Sequence, residues 1–262
     1  MDRVVAAADF LAELRRTKGT AVALPESCRP GTAAEAYAVQ AALVDRLLAP
    51  TDGRAAGYKV ACTNKLAQDL LGVDGPFCGR LLSPTVHAAP ARLPAGNFVH
   101  RVLEAEFGFE VAETVAASAE PYTADSIAPF LGAVLPAIEI VEWHYEDWTT
   151  AGAPSLIADN AIHGAWVIGE PYAAWRDLDL TTHEVRLIVN GRVITRGNGA
   201  AVLGHPLNVM AWLANELPKY GGALKAGDRV TTGVCTDVYE GQAGDSVRAD
   251  FGVVGAVDLV FD

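Results

Sequence analysis

Two glutamates separated by one residue are the first feature of this sequence that can do chemistry. They lie in the run from Val102 to Val111, where apolar residues alternate with Glu104, Glu106 and Glu110. Strand alternation places Glu104 and Glu106 on one face, roughly 7 Å apart at the backbone, from which both side chains can reach one hard cation. A half-buried strand with a solvated acidic face is the alternative that this segment alone leaves open.

A third glutamate, Glu139, lies within an apolar run that starts at Pro136 and is therefore predicted to be buried. A buried carboxylate takes up a proton or binds a cation, because leaving it ionised and unpaired is too costly. Three carboxylates without a nearby His or Cys suit Mg²⁺ or Mn²⁺, so we predict metal ligands at Glu104, Glu106 and Glu139. An Arg or Lys partner for Glu139 is the alternative, and Glu142, on the opposite strand face, is the competing third ligand.

Lys59 is the candidate catalytic residue, because it stands in the short apolar stretch Gly57 to Ala61. A lysine placed there can have a depressed pKa and transfer protons; a lysine that snorkels to solvent is the alternative. Asp159 and Asn160 precede another apolar stretch and suit either a cap or a site. His163 is a possible site residue, but no spacing supports that role.

The elements that must position these residues fall into two regions. Residues 4–16 are rich in Ala and Leu, and a second helix begins at Thr32 with a capping box to Glu35, with Tyr37, Ala41, Val44 and Leu48 on one face. From about residue 98 the pattern is typical of strands, with a type I′ hairpin at Asn190-Gly191 and a late helix over residues 205–217. We therefore predict a helical N-terminal region, residues 1–55, that packs on a β-rich catalytic domain, residues 56–262.

Composition narrows the class of protein. About half of the 262 residues are apolar, which is enough for a sizeable core. A net charge of −12 without a basic patch argues against nucleic acid as a partner. No stretch resembles a membrane span or a targeting segment, so a cytoplasmic protein is expected. The four cysteines form no CxxC pair, which argues against a thiolate zinc site.

Five blocks then occur in a recognisable order: GYKVACTNKLAQDLLGVDGPFCGRLL, LEAEFGF, PAIEIVEWHYEDW, DNAIHGAWVIG and GAAVLGHPLNVMAWLANEL. Together they resemble the 2-keto-4-pentenoate hydratase and 4-oxalocrotonate decarboxylase branch of the fumarylacetoacetate hydrolase superfamily. The resemblance implies an α+β fold with a mixed β-roll catalytic domain, and homo-oligomers. It also implies Mg²⁺ or Mn²⁺ on Glu104, Glu106 and Glu139, with Lys59 moving protons on a small 2-oxo acid substrate.

The reaction implied first is hydration of a 2-hydroxy-2,4-dienoate to a 4-hydroxy-2-oxo acid, in the catabolism of aromatic or related ring compounds. The alternatives are decarboxylation of a 2-oxo-3-enedioate, acylpyruvate-type C–C hydrolysis, and an inactive partner subunit. The chain departs from family hydratases at two substrate-binding positions: Phe77 replaces an Asp, and Ala158 replaces the Ser before Asp159. Those changes predict a less polar pocket, or a step other than water addition.

Overall fold

The computed structural model describes residues 2–262, which begin with two helices packed on each other. Helix α1 spans Arg3–Thr17 and helix α2 spans Ala33–Leu48. The Thr32 side chain caps α2 by accepting from the Glu35 N–H at 3.2 Å, as predicted. The Glu35 carboxylate accepts from the N–H of Gly31 instead of Thr32, so the predicted capping box reaches one residue further back.

Helix α2 contains all four residues predicted to share a face, but that face is only partly buried. Ala41 is exposed, and the residues that are buried are Ala36, Val39, Gln40, Leu43 and Val44. The helix is turned toward Gln40 because the amide of this residue donates to the carbonyl oxygens of Cys78 and Ile157, at 2.9 and 2.8 Å. A buried polar side chain with two partners therefore joins the N-terminal helices to the rest of the chain.

The remaining elements are mostly strands. Their bounds are β1 (Ala55–Ala61), β2 (Phe77–Leu82), β3 (Val86–Ala88), β4 (Ala91–Leu93), β5 (Val102–Val111), β6 (Leu131–Val141), β7 (His163–Ile168), β8 (Val185–Val189), β9 (Arg192–Gly197), β10 (Arg229–Val234), β11 (Tyr239–Glu240), β12 (Ser246–Asp250) and β13 (Ala256–Phe261). The later helices are α3 (Lys65–Leu71), α4 (Ala124–Ile127), α5 (Ala153–Ala158) and α6 (Pro206–Glu216). The predicted hairpin joins β8 to β9, with positive φ at both Asn190 and Gly191.

Two sheets divide these strands. The larger has the order β2-β1-β10-β5-β6-β7-β3, with β11 also paired to β5, and the smaller has the order β4-β13-β12-β8-β9. Parallel and antiparallel pairs occur in both, since β1 runs parallel to β10 and β4 runs parallel to β13. Mixed sheets with helices packed against them confirm the predicted α+β class. Across residues 2–262, no helix combines the length and the apolar composition needed to cross a bilayer.

Each face of the larger sheet contributes to a separate apolar core. The odd-numbered residues of β5, such as Phe107 and Phe109, pack with the smaller sheet and α6. On the other face, Phe77 and Val141 pack against Leu11 and other apolar residues of α1, α2 and α5. Strand alternation sends Glu104 and Glu106 to this second face, so the acidic residues lie beneath the helical layer.

Candidate metal centre and active site

Strand register brings the three predicted glutamates together. Glu104 on β5 is paired directly with Glu139 on β6, and Glu106 lies opposite Ala137, one pair further along the same face. Carboxylate oxygens of all three residues lie within 4.8 Å of one another. Directly opposed residues in an antiparallel pair have close side chains, so this register accounts for the cluster.

Glu106 is fixed by donors from β10. Its Oε2 accepts from the Thr231 hydroxyl and from the N–H of Gly233, the latter at 2.8 Å, while its buried Oε1 has no partner. Gly233 has φ of +104°, and a Cβ there would lie 1.8 Å from the Thr63 hydroxyl oxygen. Only glycine permits this close approach, so β10 presents its N–H to the carboxylate because residue 233 has no side chain.

Glu139 is held through one carboxylate oxygen, Oε1. Its Oε1 lies 2.8 Å from His163 Nδ1 and 3.3 Å from Lys59 Nζ, and its Oε2 is buried without a partner. Lys59, on β1, is 2 % exposed, which excludes the snorkelling alternative. Lys59 on β1 is paired with Thr231 on β10. The register of these two neighbouring strands therefore brings the lysine close to Thr231, which donates a hydrogen bond to Glu106.

Burial and mutual repulsion set the charge of this cluster. Burial raises the pKa of Glu106 well above its ordinary value, and the charges of Glu139 and Glu104 raise it further. Burial likewise raises the pKa of Glu104, with a further rise from Glu139. Burial also opposes ionisation of Glu139, but Lys59 and His163 outweigh it and hold the Glu139 pKa below its ordinary value. The protein therefore supplies too little positive charge to keep Glu104 and Glu106 fully ionised.

The predicted depressed pKa of Lys59 was wrong. Burial by itself lowers the lysine pKa, but the negative charges of Glu139, Glu104 and Glu106 outweigh burial and raise it above its ordinary value. The charge environment, which the apolar sequence neighbours of Lys59 did not reveal, decides the sign. The three glutamate charges thus favour the ammonium form of Lys59, which can donate a proton.

The donor set fits a hard divalent cation. It offers carboxylate oxygens only, two of them buried with no hydrogen-bond partner, in a cluster whose like charges oppose full ionisation. Glu142 does not join it, because its Oε1 accepts from the N–H of Val99 at 2.7 Å beyond the end of β6. The predicted choice of Glu139 over Glu142 agrees with this geometry.

A left-handed turn at residues 160–162 lies over β2, the strand that pairs with β1 at Lys59. Asn160, Ala161 and Ile162 all have φ between 51° and 55°, a conformation that costs non-glycine residues roughly 1–2 kcal/mol each. The Asn160 side chain bonds to both backbone groups of Arg80 on β2, accepting at 2.7 Å and donating at 2.9 Å. Gly79, which pairs with Lys59, leaves the space for the Asn160 carbonyl oxygen.

Arg15 of α1 binds both ends of this turn. Its guanidinium donates to the Asp159 carboxylate at 2.8 Å, to the Asp159 carbonyl oxygen at 2.9 Å and to the His163 carbonyl oxygen at 3.0 Å. Burial opposes ionisation of Asp159, but the charge of Arg15 and the nearby His144 hold its pKa below the ordinary value. His144 Nδ1 lies 3.4 Å from Asp159 Oδ2 without forming a hydrogen bond.

The other predicted substrate-binding residues, Phe77 and Ala158, are both buried. Phe77 pairs with Ala61 on the face of Lys59 and packs into the core beneath the helices, and Ala158 is fully buried at the end of α5. A cavity of about 340 Å³ is lined by Arg15, Thr85, His144 and His163 among others, and not by Phe77 or Ala158. Sequence reasoning missed Thr231 and Gly233 and found no support for His163.

Comparison with known proteins assigns the family. Residues 73–260 match the model of the fumarylacetoacetate hydrolase C-terminal domain. The chain is 33% identical over 252 residues to a 2-keto-4-pentenoate hydratase of Burkholderia vietnamiensis, covering 96% of this chain and 94% of that protein. It is 30% identical to a 2-hydroxyhexa-2,4-dienoate hydratase of Comamonas testosteroni over 90% of this chain and 88% of that protein.

Among solved structures, 4-oxalocrotonate decarboxylase from Pseudomonas putida G7, complexed with magnesium and adipate, superposes with a TM-score of 0.92. It is 26% identical to this chain and covers 100% of this chain and 98% of its own. The agreement extends to the N-terminal helices, which lie outside residues 73–260. The chain is therefore an enzyme of the fumarylacetoacetate hydrolase family, on the side of the family that includes hydratases and a decarboxylase, both of them lyases.

Proposed function

We propose that the protein is a divalent-metal-dependent hydratase that converts a 2-hydroxy-2,4-dienoate into a 4-hydroxy-2-oxo acid. The observation that carries this proposal is the cluster of half-buried Glu104 with buried Glu106 and Glu139. It lies beside Lys59, in a chain whose relatives, matched over most of their length, are named as hydratases. The cluster suits a cation that binds 2-oxo acids, and the ammonium group suits proton delivery to the same substrate.

Glu104, Glu106 and Glu139 would hold Mg²⁺ or Mn²⁺. When bound, such a cation supplies Lewis-acid stabilisation of the negative charge that develops on a 2-oxo acid. Glu106 is pre-positioned by Thr231 and Gly233, so its free oxygen needs no rearrangement to coordinate. Rigid ligands favour a defined coordination geometry and leave the remaining positions for substrate.

Lys59 would deliver the proton that converts the dienol into its ketone. Its ammonium group is buried and lies 3.3 Å from Glu139, so it would donate a proton to C5 of the dienol, and the proton that leaves the 2-hydroxyl group would restore the lysine. Ketonisation makes the C3–C4 double bond electrophilic, and water then adds at C4 while a proton is delivered to C3. Phe77, Ala158 and Asp159 would line the substrate tail, which is expected to be less polar than in hydratases with an Asp at position 77.

Decarboxylation of a 2-oxo-3-enedioate is the second candidate. Its support is the TM-score of 0.92 to a 4-oxalocrotonate decarboxylase and the apolar Phe77 where family hydratases carry a carboxylate. A decarboxylase needs the same stabilisation of developing enolate charge but needs no residue to position water. Both reactions would therefore use the same three glutamates.

Product analysis distinguishes the two reactions. Purified protein with Mg²⁺ is incubated separately with 2-hydroxypenta-2,4-dienoate and with 2-oxo-3-hexenedioate, while dienol absorbance and CO₂ release are followed. A hydratase consumes the first substrate, yields 4-hydroxy-2-oxopentanoate and releases no CO₂. Release of CO₂ from the second substrate, with the first left unchanged, would replace hydration by the second candidate. Homo-oligomerisation and a cytoplasmic location stay predictions, testable by light scattering and fractionation.

A further inference from the structure

Glu139 shares one oxygen between two donors of unequal distance. His163 Nδ1 lies 2.8 Å from Oε1, whereas Lys59 Nζ lies 3.3 Å away. All three side chains are buried, so neither donor is replaced by solvent. If Lys59 transfers its proton to substrate, it weakens as a partner of Glu139, and His163 is then the donor that still fixes the carboxylate.

We propose that His163 is the positioning residue for Glu139, because its Nδ1–H engages Oε1 and leaves Oε2 to coordinate the cation. The inference rests on the proposed metal site. Glu139 Oε2 is buried without a partner, which is what a carboxylate turned by one fixed donor leaves for a ligand. His163 thus does for Glu139 what Thr231 and Gly233 do for Glu106.

The imidazole is itself held in place. Arg15 binds the His163 carbonyl oxygen at 3.0 Å, and the preceding left-handed turn fixes the backbone on which the ring is mounted. The Thr85 hydroxyl lies 3.4 Å from Nε2 but donates its single hydrogen to the Leu82 carbonyl oxygen at 3.0 Å. An ionised carboxylate only accepts, so the proton of the neutral ring belongs on Nδ1, and His163 is one of the residues that line the 340 Å³ cavity.

Replacing His163 by Asn or by Gln distinguishes a positioning role from simple space filling, because the two side-chain amides place their N–H groups differently. Asn at position 163 places an N–H near the Nδ1 position, whereas Gln places it near Nε2. We therefore expect metal-free His163→Asn to bind Mn²⁺ within about threefold of the wild type, and His163→Gln and His163→Ala to bind roughly 10- to 100-fold more weakly. Mn²⁺ affinity is measured by electron paramagnetic resonance of free Mn²⁺. His144→Asn is the control, because His144 is a buried neighbour that does not contact Glu139.

A purely structural role predicts a different pattern, in which all three variants lose thermal stability while retaining Mn²⁺ affinity, or Asn and Gln are impaired equally. Either result overturns the proposal while leaving the metal site intact. Failure of the wild type to bind Mn²⁺ would instead overturn the proposed function, and the positioning role with it.

A measurement on unaltered protein keeps the proposal testable if the variants do not fold. In protein labelled with ¹⁵N-histidine, nitrogen chemical shifts report which ring nitrogen carries the proton. We expect His163 to carry it on Nδ1 with and without Mg²⁺. A proton on Nε2 alone would contradict the proposal, because Nδ1 could not then donate to Glu139.

Discussion

Glu106 shows what the sequence can and cannot reveal about a single residue. Alternation along β5 predicted that Glu104 and Glu106 share a face, and the apolar surroundings of Glu139 predicted its burial; both predictions are confirmed. The donors Thr231 and Gly233 lie 125 and 127 residues further along the chain, so no local pattern connects them to Glu106. Nor did sequence neighbours reveal the charges that raise the Lys59 pKa.

Replacing Glu106 by Gln tests its role as a metal ligand. Gln resembles the protonated acid and can still accept from Thr231 and Gly233, so the metal-free variant is expected to fold with unchanged or higher thermal stability. Its Mn²⁺ affinity and its activity should both fall by at least roughly 100-fold. Replacing a residue that only holds a ligand in place already lowers metal affinity or activity by roughly 10- to 100-fold, and Glu106 is a proposed ligand itself. Glu110→Gln on the same strand is the control; full activity in Glu106→Gln would remove Glu106 from the ligand set.

Replacing Lys59 by Met separates proton transfer from metal binding. Met keeps the length of the chain but cannot donate a proton, so kcat should fall by roughly 100-fold or more, with metal content and KM little changed. Steady-state kinetics and elemental analysis of the same preparation measure both quantities. Lys65→Met, at an exposed position of α3, is the control. A kcat within about threefold of the wild type would exclude Lys59 as the proton donor.

Among the secondary-structure elements, those with a regular sequence pattern could be predicted from the sequence, whereas a conformation imposed by long-range contacts could not. The sequence predicted β5, the Asn190-Gly191 hairpin and the helix that begins after His205 at nearly their observed bounds. It did not predict the left-handed turn at residues 160–162, because Arg15, 144 residues away from Asp159, and Arg80 on β2 impose that conformation. The turn joins α1 to the site, which gives the N-terminal helix a role beyond covering the core.

Neighbouring arginines of α1 provide a matched test of that role. The Arg15 side chain is 12% exposed and paired with fully buried Asp159, whereas Arg16 is 71% exposed and pairs with Glu13, which is itself exposed. Arg15→Ala leaves a buried carboxylate unpaired and should lower the free energy of unfolding by about 3–5 kcal/mol. Arg16→Ala, at an exposed position, should leave it nearly unchanged. Urea denaturation measures both, and equal effects would refute the link between α1 and the turn.

The same ion pair predicts a pH dependence. The pKa of Asp159 is lowered from 3.8, since Arg15 and His144 outweigh the effect of burial. A lowered folded-state pKa contributes stability that is present above pH 3.8 and lost as pH falls through the folded value. The difference in unfolding free energy between wild type and Asp159→Asn should therefore shrink on acidification below 3.8. A difference that stays constant with pH would mean that the carboxylate is not ionised in the folded protein.

At the scale of the whole molecule, the distribution of charge means that substrate binding needs additional positive charge at the site. The net charge of −12 repels an anionic 2-oxo acid, and the site itself adds three carboxylates against one lysine. Substrate binding therefore depends on a local positive charge greater than Lys59 supplies. The two-sheet fold and its helical cover hold Glu104, Glu106 and Glu139 in place, and the proposed divalent cation would complete the charge balance.

The most direct test is turnover of 2-hydroxypenta-2,4-dienoate by chelator-treated, metal-free protein, followed as loss of dienol absorbance before and after Mg²⁺ is added. We predict no turnover without metal, and 4-hydroxy-2-oxopentanoate formation once Mg²⁺ is restored to wild type but not to Glu106→Gln. Equal rates with and without Mg²⁺, or no conversion by the Mg²⁺-loaded wild type, would contradict a metal-dependent hydratase.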